Sequence, residues 1–120
     1  MYTIRTILKK KRSGEVWSVS PEDTVLEAIT QMAKLGIGAL LVMEGERLAG
    51  IVSERDYARK IILQGRRSAE TRVAEIMTRD VTTARLDMTA QQCLGIMTAG
   101  YFRHLPVIDN DKVVGLVSIG

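Results

Sequence analysis

Cysteine, proline and aromatic residues are scarce in this chain of 120 residues. The single cysteine, Cys93, excludes an internal disulfide and any zinc site that needs several thiolates. Aromatic residues make up 4% of the chain, too few for the stacking surfaces that bind single-stranded nucleic acids. With only two prolines and 46% hydrophobic residues, the composition is that of a globular protein and excludes a disordered one.

Long apolar runs are also missing. The longest stretch of apolar residues and glycine, 35–43, has nine residues and is far shorter than a membrane span. In a secretory signal an apolar segment follows the basic residues. Here the basic run 9–12 comes directly after Leu8 and no apolar segment follows it, so we expect no secretory signal. We therefore expect a cytoplasmic protein that does not associate with a membrane.

The net formal charge is small, at +3. Four positive charges lie in 9–12 and four more in 60–72. Such clusters bind phosphate groups in some proteins, but most are solvated surface segments. Nucleic acid is therefore not expected to be the main partner, although these two clusters keep that alternative open.

The most informative feature is an internal repeat. A shift of 65 residues aligns 16–53 with 81–118 without a gap, and eight of the 38 positions are identical. The identities fall on apolar positions, on a helix cap and on one turn, where a duplicated fold would keep them. They are Val16/Val81, Thr24/Thr89, Met32/Met97, Leu40/Leu105, Val42/Val107, Gly50/Gly115, Val52/Val117 and Ser53/Ser118.

Each copy predicts the element order β-α-β-β-α. A short β segment precedes an amphipathic helix that begins with a capping box, at Thr24 in one copy and Thr89 in the other. Gly36 is predicted to end the first of these helices in a left-handed conformation. A hairpin follows, with predicted strands over 39–43 and 47–52 in the first copy and over 104–108 and 112–117 in the second.

A second helix is predicted over 54–63, with Ala58, Ile61 and Ile62 on its inner face and Gly65 after its end. In the second copy, Cys93, Leu94 and Met97 are predicted to form the inner face of the amphipathic helix.

The pattern predicts an α/β (α+β) fold. We expect one repeat over 1–65 that includes the N-terminal segment, a linker over 66–72, and a second repeat over 73–120 that begins with a short apolar turn. A unit of this size would be marginally stable alone. The two are therefore predicted to pack sheet to sheet about a pseudo-twofold axis, with a cleft between them as the natural ligand site.

The segment 50–56 carries the residues best suited to bind a ligand. A strand is predicted to end and a helix to begin at Ser53, and the amides and dipole at a helix start favour an anion. Asp56 adds a carboxylate that suits a vicinal diol, as in dinucleotide sites. Arg55 adds a cationic fork that suits phosphate.

The same spacing also fits an ordinary helix cap, in which Ser53 and Asp56 serve only to satisfy the start of the helix. The recurrence of glycine and serine in the second copy, at Gly115 and Ser118, favours a functional role. Both interpretations stay open on the residues alone.

Arg103 and His104 stand at the start of a predicted strand, where the first copy has Gly38 and Ala39. Their side chains are predicted to point toward the cleft. A single histidine is, however, more often a surface or core residue than a ligand contact, so both roles stay open.

Other candidates fit core packing better than chemistry. Trp17 and Phe102 could stack on a base, but core filling is the commoner role of such residues. Four methionines are interpreted as packing residues rather than metal ligands: Met32, Met77, Met88 and Met97. The common catalytic motifs are absent and the chain has one histidine, so we expect neither an enzyme nor a metal site.

Taken together, these segments resemble a pair of CBS domains, the Bateman module. The resemblance covers about residues 3–119 and rests mainly on the segments 36–42, 50–56, 76–78 and 103–109. It implies two tandem CBS repeats that form a regulatory module of the stand-alone bacterial type, commonly a homodimer. It implies no catalytic cofactor.

The resemblance also implies a regulatory ligand that contains adenosine, such as AMP, ADP, ATP, NAD or S-adenosylmethionine, bound between the repeats. By position, Ser53 and Asp56 would contact its phosphate and ribose. The other contacts of this first site would come from Met77, Thr78, Thr82 and Phe102 against the adenine, with Arg103 near the phosphate. A second site would use Ser118, His104 and Arg103, with Val16, Trp17, Ile37 and Gly38 opposite.

The chain departs from the family pattern at its end. Gly120 stands one residue before the position that would match Asp56, so we expect the second site to lack its ribose ligand and the second repeat to lack its final helix. We expect no catalytic or transport domain to accompany the pair. The regulated effector is therefore expected to be a separate, unknown protein.

These expectations give three hypotheses. The preferred one is a sensor of adenine nucleotides that signals through dimer shape or partner affinity. The second is a ligand-silent dimerisation scaffold in which Ser53 and Asp56 are only caps. The third is nucleic-acid binding through 9–12 and 60–72, which predicts steeply salt-dependent retention on DNA or RNA.

Overall fold

The structure, a computed structural model of the chain, describes residues 2–10 and 17–118, which form two packing units. The first unit comprises 17–80, and the second comprises 81–118 together with 2–10. Each unit contains one three-stranded sheet with short helices, which confirms the mixed α/β fold class.

The helices and strands, in chain order, are α1 (Ile4–Lys10), β1 (Ser18–Val19), α2 (Val25–Leu35), β2 (Ala39–Glu44), β3 (Arg47–Ser53), α3 (Glu54–Tyr57), β4 (Ala84–Arg85), α4 (Ala90–Gly100), β5 (His104–Asp109) and β6 (Lys112–Ser118). A π-helical turn, Ala58–Ile62, continues α3, and 3-10 turns lie at Ser68–Glu70 and Val73–Glu75. None of the helices within the described ranges has both the length and the hydropathy that a membrane span requires.

Both amphipathic helices begin where the sequence predicts. The Thr89 hydroxyl accepts the N–H of Gln92 at 3.0 Å, and the Gln92 side chain accepts the N–H of Thr89 at 2.9 Å, which completes the predicted capping box. At α2 the Thr24 hydroxyl accepts the N–H of Glu27 at 3.1 Å but donates to the Glu27 carboxylate, so only half of the predicted box forms.

Both helices end in a left-handed residue. Gly36 has φ of 67° and Tyr101, its equivalent under the shift of 65, has φ of 59°. Glycine adopts this conformation without steric cost, as predicted, whereas Tyr101 adopts it against the preference of a residue with a Cβ.

The two sheets have the same topology, with strand orders β1-β2-β3 and β4-β5-β6. The first strand of each runs parallel to the second, and the second and third form an antiparallel hairpin. The register shifts after Val42 in one hairpin and after Val107 in the other, again 65 residues apart. Both predicted hairpins are therefore confirmed, and they share an irregularity of register that the sequence does not predict.

The core of the first unit is built around β2, where Leu40 and Val42 are fully buried. Burying a side chain of this size stabilises the fold by about 1.5–3 kcal/mol. The other buried members of this core are Val19, Val25, Ala28, Met32, Val52, Ile61, Val73, Ile76 and Met77.

The apolar segment 73–77 belongs to this first core. Val73, Ile76 and Met77 are at most 7% exposed and pack against the residues of the first unit, although the sequence places this segment at the beginning of the second copy. Thr71, in the predicted linker, is also buried, and its carbonyl accepts the N–H of Val25 at 2.8 Å.

The start of the chain, by contrast, packs into the second unit. Ile4 of α1 is buried in the second core, and Leu8 packs against it. Gly115 lies beneath Leu8, because a Cβ at Gly115 would stand 2.7 Å from a methyl carbon of Leu8. The packing units of the structure therefore divide the chain at different places from the sequence repeat.

Three side chains predicted to face inward lie on the surface. Ile62 is 59% exposed and Leu94 is 49% exposed, and Ala58 is exposed as well. The π-helical winding of Ala58–Ile62 changes the angular step between side chains, so only Ile61 of this turn enters the core. Leu94 lies outside the buried stripe that Cys93 and Met97 form on α4.

Candidate functional site

Ser53 ends β3 and begins α3, and three hydrogen bonds join it to Asp56. The Ser53 hydroxyl oxygen accepts the N–H of Asp56 at 3.2 Å. Asp56 Oδ2 accepts the Ser53 N–H and the Ser53 hydroxyl, each at 3.0 Å. These residues therefore do form the cap that their spacing allows, a complete capping box.

The other carboxylate oxygen of Asp56 is held by Lys60. Lys60 Nζ lies 3.1 Å from Asp56 Oδ1 and donates a second hydrogen bond of 2.7 Å to the carbonyl of Ile76. The side chain of Asp56 is 14% exposed and that of Lys60 is 41% exposed. Asp56 thus sits at the edge of solvent with both oxygens engaged.

The segment that follows Ile76 lies along the free edge of β3. Thr78 and Ile51 exchange backbone hydrogen bonds of 2.8 and 3.0 Å as an antiparallel bridge. A Cβ at Gly50 would stand 2.6 Å from the Thr78 carbonyl oxygen and 3.0 Å from Met77 Sδ. Glycine at this position is what lets Met77 and Thr78 approach the strand that ends in Ser53.

Glu75 anchors the turn before this segment. Its carboxylate accepts the N–H of Arg72 at 2.8 Å and also bonds to the Arg66 guanidinium. Both hydrogen bonds, the one to the Arg72 backbone more than the one to Arg66, hold the pKa of Glu75 below its ordinary value. The carboxylate therefore stays ionised, and the anchor intact, at neutral pH.

The first unit contains four further predicted residues. The Gly38 carbonyl accepts the N–H of Glu54 at 3.0 Å, which puts Gly38 at the start of α3. Arg55 is exposed on the first turn of the same helix. Ile37, the residue before Gly38, packs partly buried against the first core. Trp17 is 39% exposed just before β1.

The second unit holds the remaining described candidates. His104 and Ser118 face each other on β5 and β6. Arg103 is exposed just before β5, and Thr82 is exposed before β4. Phe102 packs partly buried against the second core, in keeping with a core-filling role. Val16 lies outside the described residues.

The structure thus brings Ser53, Asp56, Gly38, Met77 and Thr78 together in one unit, and His104 and Ser118 together in the other. Met77 is also a core residue, as are Met32 and Met97, and Met88 packs partly buried against the second core.

Lys60 is a further residue of this candidate site, and it was not predicted from the sequence. It was counted only as one charge of the 60–72 cluster, although its spacing of four residues from Asp56 is a recognised signal for a helical ion pair. Within residues 2–10 and 17–118, no group of three or more His, Cys, Asp or Glu side chains is arranged to hold a metal ion.

Comparison with known proteins finds one family. A family model of the CBS domain matches the chain twice, over residues 4–63 and 73–120. A curated relative, the mitochondrial CBS domain-containing protein CBSX3 of Arabidopsis thaliana, is 39% identical over 98% of this chain. The chain spans 61% of that relative and 21–22% of other Arabidopsis relatives, which are longer proteins.

Similar solved structures belong to the same family. A protein with CBS domains from Burkholderia ambifaria is 48% identical and superposes with a TM-score of 0.95, covering 98% of this chain and 88% of that one. The CBS domain pair of protein MJ0100, solved in complex with 5′-methylthioadenosine and S-adenosyl-L-methionine, is 27% identical with a TM-score of 0.85, covering 98% and 90%. Because the family model accounts for both halves and these relatives extend along nearly the whole length, the chain belongs to the CBS domain family and is a CBS domain pair, a regulatory module.

Proposed function

We propose that this CBS domain pair binds an adenosine-containing ligand, with Ser53 and Asp56 as its central contacts. The observation that carries the proposal is the polar arrangement at the start of α3. A hydroxyl and a carboxylate are fixed there beside the Met77–Thr78 segment. The related MJ0100 pair binds two adenosine-containing molecules, which supports this class of ligand.

Asp56 can accept a hydrogen bond from a ribose hydroxyl and still cap α3. An ionised carboxylate offers about four acceptor positions. The Ser53 N–H, the Ser53 hydroxyl and the Lys60 ammonium use three of them. One hydroxyl of a ribose can therefore donate to Oδ1 beside Lys60, while Oδ2 continues to cap the helix.

Phosphate and base contacts complete the proposal. Arg55 on the first turn of α3 is the proposed phosphate partner, and Met77 and Thr78 supply apolar and polar surface for the base. In the second unit, His104 and Ser118 form a pair that can donate to and accept from a second ligand. The contacts of Thr82, Phe102, Arg103, Trp17, Ile37 and Gly38 stay predictions.

The regulatory output is proposed to pass through homodimer shape or through affinity for a separate effector protein. CBS pairs are regulatory modules, so we expect ligand binding here to be read by another protein rather than followed by catalysis. A location in the cytoplasm is part of the same proposal.

A thermal-shift panel tests the proposal. AMP, ADP, ATP, NAD and S-adenosylmethionine are each added to the chain over a concentration series. A ligand at one hundred times its Kd adds about 2.7 kcal/mol to the free energy of unfolding. For a chain of this size that is a rise in Tm of roughly 10 °C. At least one member is expected to give a saturable rise, and no rise with any of them would contradict the proposal.

The alternative is a scaffold that binds no ligand, and one observation favours it. Each oxygen of Asp56 already has a protein donor, so the capping box needs no ligand to be satisfied. This alternative predicts a flat thermal-shift panel while the chain still forms dimers in analytical ultracentrifugation. The same panel therefore separates the two functions.

Nucleic-acid binding receives less support from the structure. The four cations of the 60–72 cluster each lie within 4.0 Å of a carboxylate: Lys60 with Asp56, Arg66 with Glu75, Arg67 with Glu70 and Arg72 with Glu22. Phosphates would have to compete with these partners. Retention on DNA that fell steeply with salt would revive the hypothesis.

A further inference from the structure

Lys60 links the two elements that carry the proposed ligand contacts. Its stem leaves the π-helical turn that continues α3, one turn after Asp56. Its ammonium group bonds both to Asp56 Oδ1 and to the carbonyl of Ile76, the residue before the Met77–Thr78 segment. One side chain therefore sets the helix and the segment at a fixed spacing.

The two oxygens of Asp56 are held by different partners. Oδ2 is held by Ser53, which also fixes the start of α3. Oδ1, the oxygen with an acceptor position to spare, is held only by Lys60 among the described contacts. The location of the Lys60 ammonium group therefore determines the direction of the remaining acceptor position on Oδ1.

We propose that Lys60 is a positioning residue for recognition of the ligand's ribose, and that it acts through Asp56. The inference rests on the proposed function. Lys60 holds the carboxylate so that Oδ1 accepts a ribose hydroxyl, and it keeps the carboxylate beside the Ile76–Thr78 backbone. Its positive charge also offsets the charge of Asp56, which would otherwise repel the ligand's phosphate.

Ribose selectivity is the readout that separates positioning from a general structural role. AMP, 2′-deoxy-AMP and 3′-deoxy-AMP carry the same charge and the same base. The ratio of their affinities therefore cancels the effects of fold stability and of electrostatic attraction and retains the contribution of each ribose hydroxyl. Calorimetric titration of the full chain measures this ratio.

Lys60→Met keeps most of the apolar stem and removes the ammonium. We expect it to weaken AMP binding by roughly three- to tenfold, less than the loss of the hydrogen bond to Asp56 would, because the carboxylate stays but is no longer held in position. It should weaken one or both deoxy analogues less, so the ribose preference shrinks. Lys60→Arg, which retains charge and donors, is expected to restore most of the preference.

Lys34→Met is the matched control, because Lys34 is an exposed lysine in the last turn of α2 of the same unit. It should leave both the affinity and the ratio unchanged. Melting curves of each variant verify folding, and Lys60→Gln replaces Lys60→Met if the latter does not fold.

Three results would overturn the inference, and they differ in whether they also contradict ribose recognition by Asp56 or the proposed function. If Lys60→Met weakens AMP and both analogues by one common factor, or changes none of them, Lys60 does not position Asp56 and the proposed function stands. If the unmodified chain binds all three equally, ribose recognition at Asp56 is wrong. If the unmodified chain binds none of them or the other adenosine ligands, the proposed function fails as well.

Discussion

Gly50 lies so close to Thr78 that a Cβ on Gly50 would stand 2.6 Å from the Thr78 carbonyl oxygen. The contact brings the Met77–Thr78 segment against β3, two residues before Ser53. The equivalent glycine, Gly115, instead meets the flexible end of Leu8. The repeated glycine thus serves close packing in both units, with a rigid neighbour in one and an adaptable neighbour in the other.

Gly50→Ala is expected to be destabilising by about 1–3 kcal/mol, because the added methyl group meets a backbone atom that cannot turn aside. Urea unfolding measures the change. Gly115→Ala should cost less, since the Leu8 side chain can move.

Gly95→Ala is the control for this pair. Gly95 lies in α4 and a Cβ there meets nothing within 4 Å, so alanine should be neutral or stabilising by about 0.5–1 kcal/mol. Equal effects of Gly50→Ala and Gly95→Ala would show that the close approach to Thr78 is not formed in solution.

Ile76→Ala is expected to reduce the free energy of unfolding by about 2–4 kcal/mol, because Ile76 is 1% exposed in the first core. Leu63→Ala, at a residue that is 78% exposed, should change it by less than about 0.5 kcal/mol. Denaturant melts of the two variants compare them directly. A mild effect of Ile76→Ala would mean that Ile76 does not complete the first core in solution.

Cys93 is expected to react slowly with thiol reagents in the folded protein. It is buried, and burial raises the pKa of its thiol above the ordinary value. At pH 8 the thiol should therefore be modified far more slowly in buffer than in urea, as measured with a chromogenic disulfide. Rapid modification of the folded chain would contradict the burial of Cys93 on α4.

The raised pKa of Cys93 makes the stability of the chain depend on pH in the alkaline range. The unfolded thiol ionises near its ordinary pKa, whereas the folded thiol stays protonated to higher pH because burial raises its pKa. Above that ordinary pKa the unfolded state is therefore favoured, and the contribution of Cys93 to stability is lost as the pH rises. Cys93→Ala should show a shallower fall in stability over this range.

The sequence pattern predicts most of the secondary structure because an element found in one copy is expected at the equivalent position of the other. Thr89 and Gln92 predict a capping box, and the structure has it. Gly36 predicts a left-handed helix end, although its equivalent Tyr101 gives no such signal and adopts the same conformation. Local patterns determine local structure here, and the shift of 65 extends them to the second copy.

Tertiary placement is where prediction fails, since it depends on contacts that periodicity does not encode. Val73 and Ile76 follow a polar segment and so read as the start of the next repeat, yet they complete the first core. Ile62 fits an α-helical stripe but lies outside because the turn is π-helical. The bond from Lys60 to the Ile76 carbonyl spans sixteen residues and leaves no sequence signal.

The central claim is that Asp56 binds the ribose of an adenosine-containing ligand, beyond its service to the helix cap. Calorimetric titration of AMP into the unmodified chain, Asp56→Ala and Gln92→Ala tests it most directly. Gln92 occupies the same capping position on α4 that Asp56 occupies on α3, so Gln92→Ala controls for the loss of a cap. We predict that Asp56→Ala weakens AMP binding by about 10- to 100-fold while Gln92→Ala leaves it unchanged. Equal affinities for all three proteins would contradict the claim.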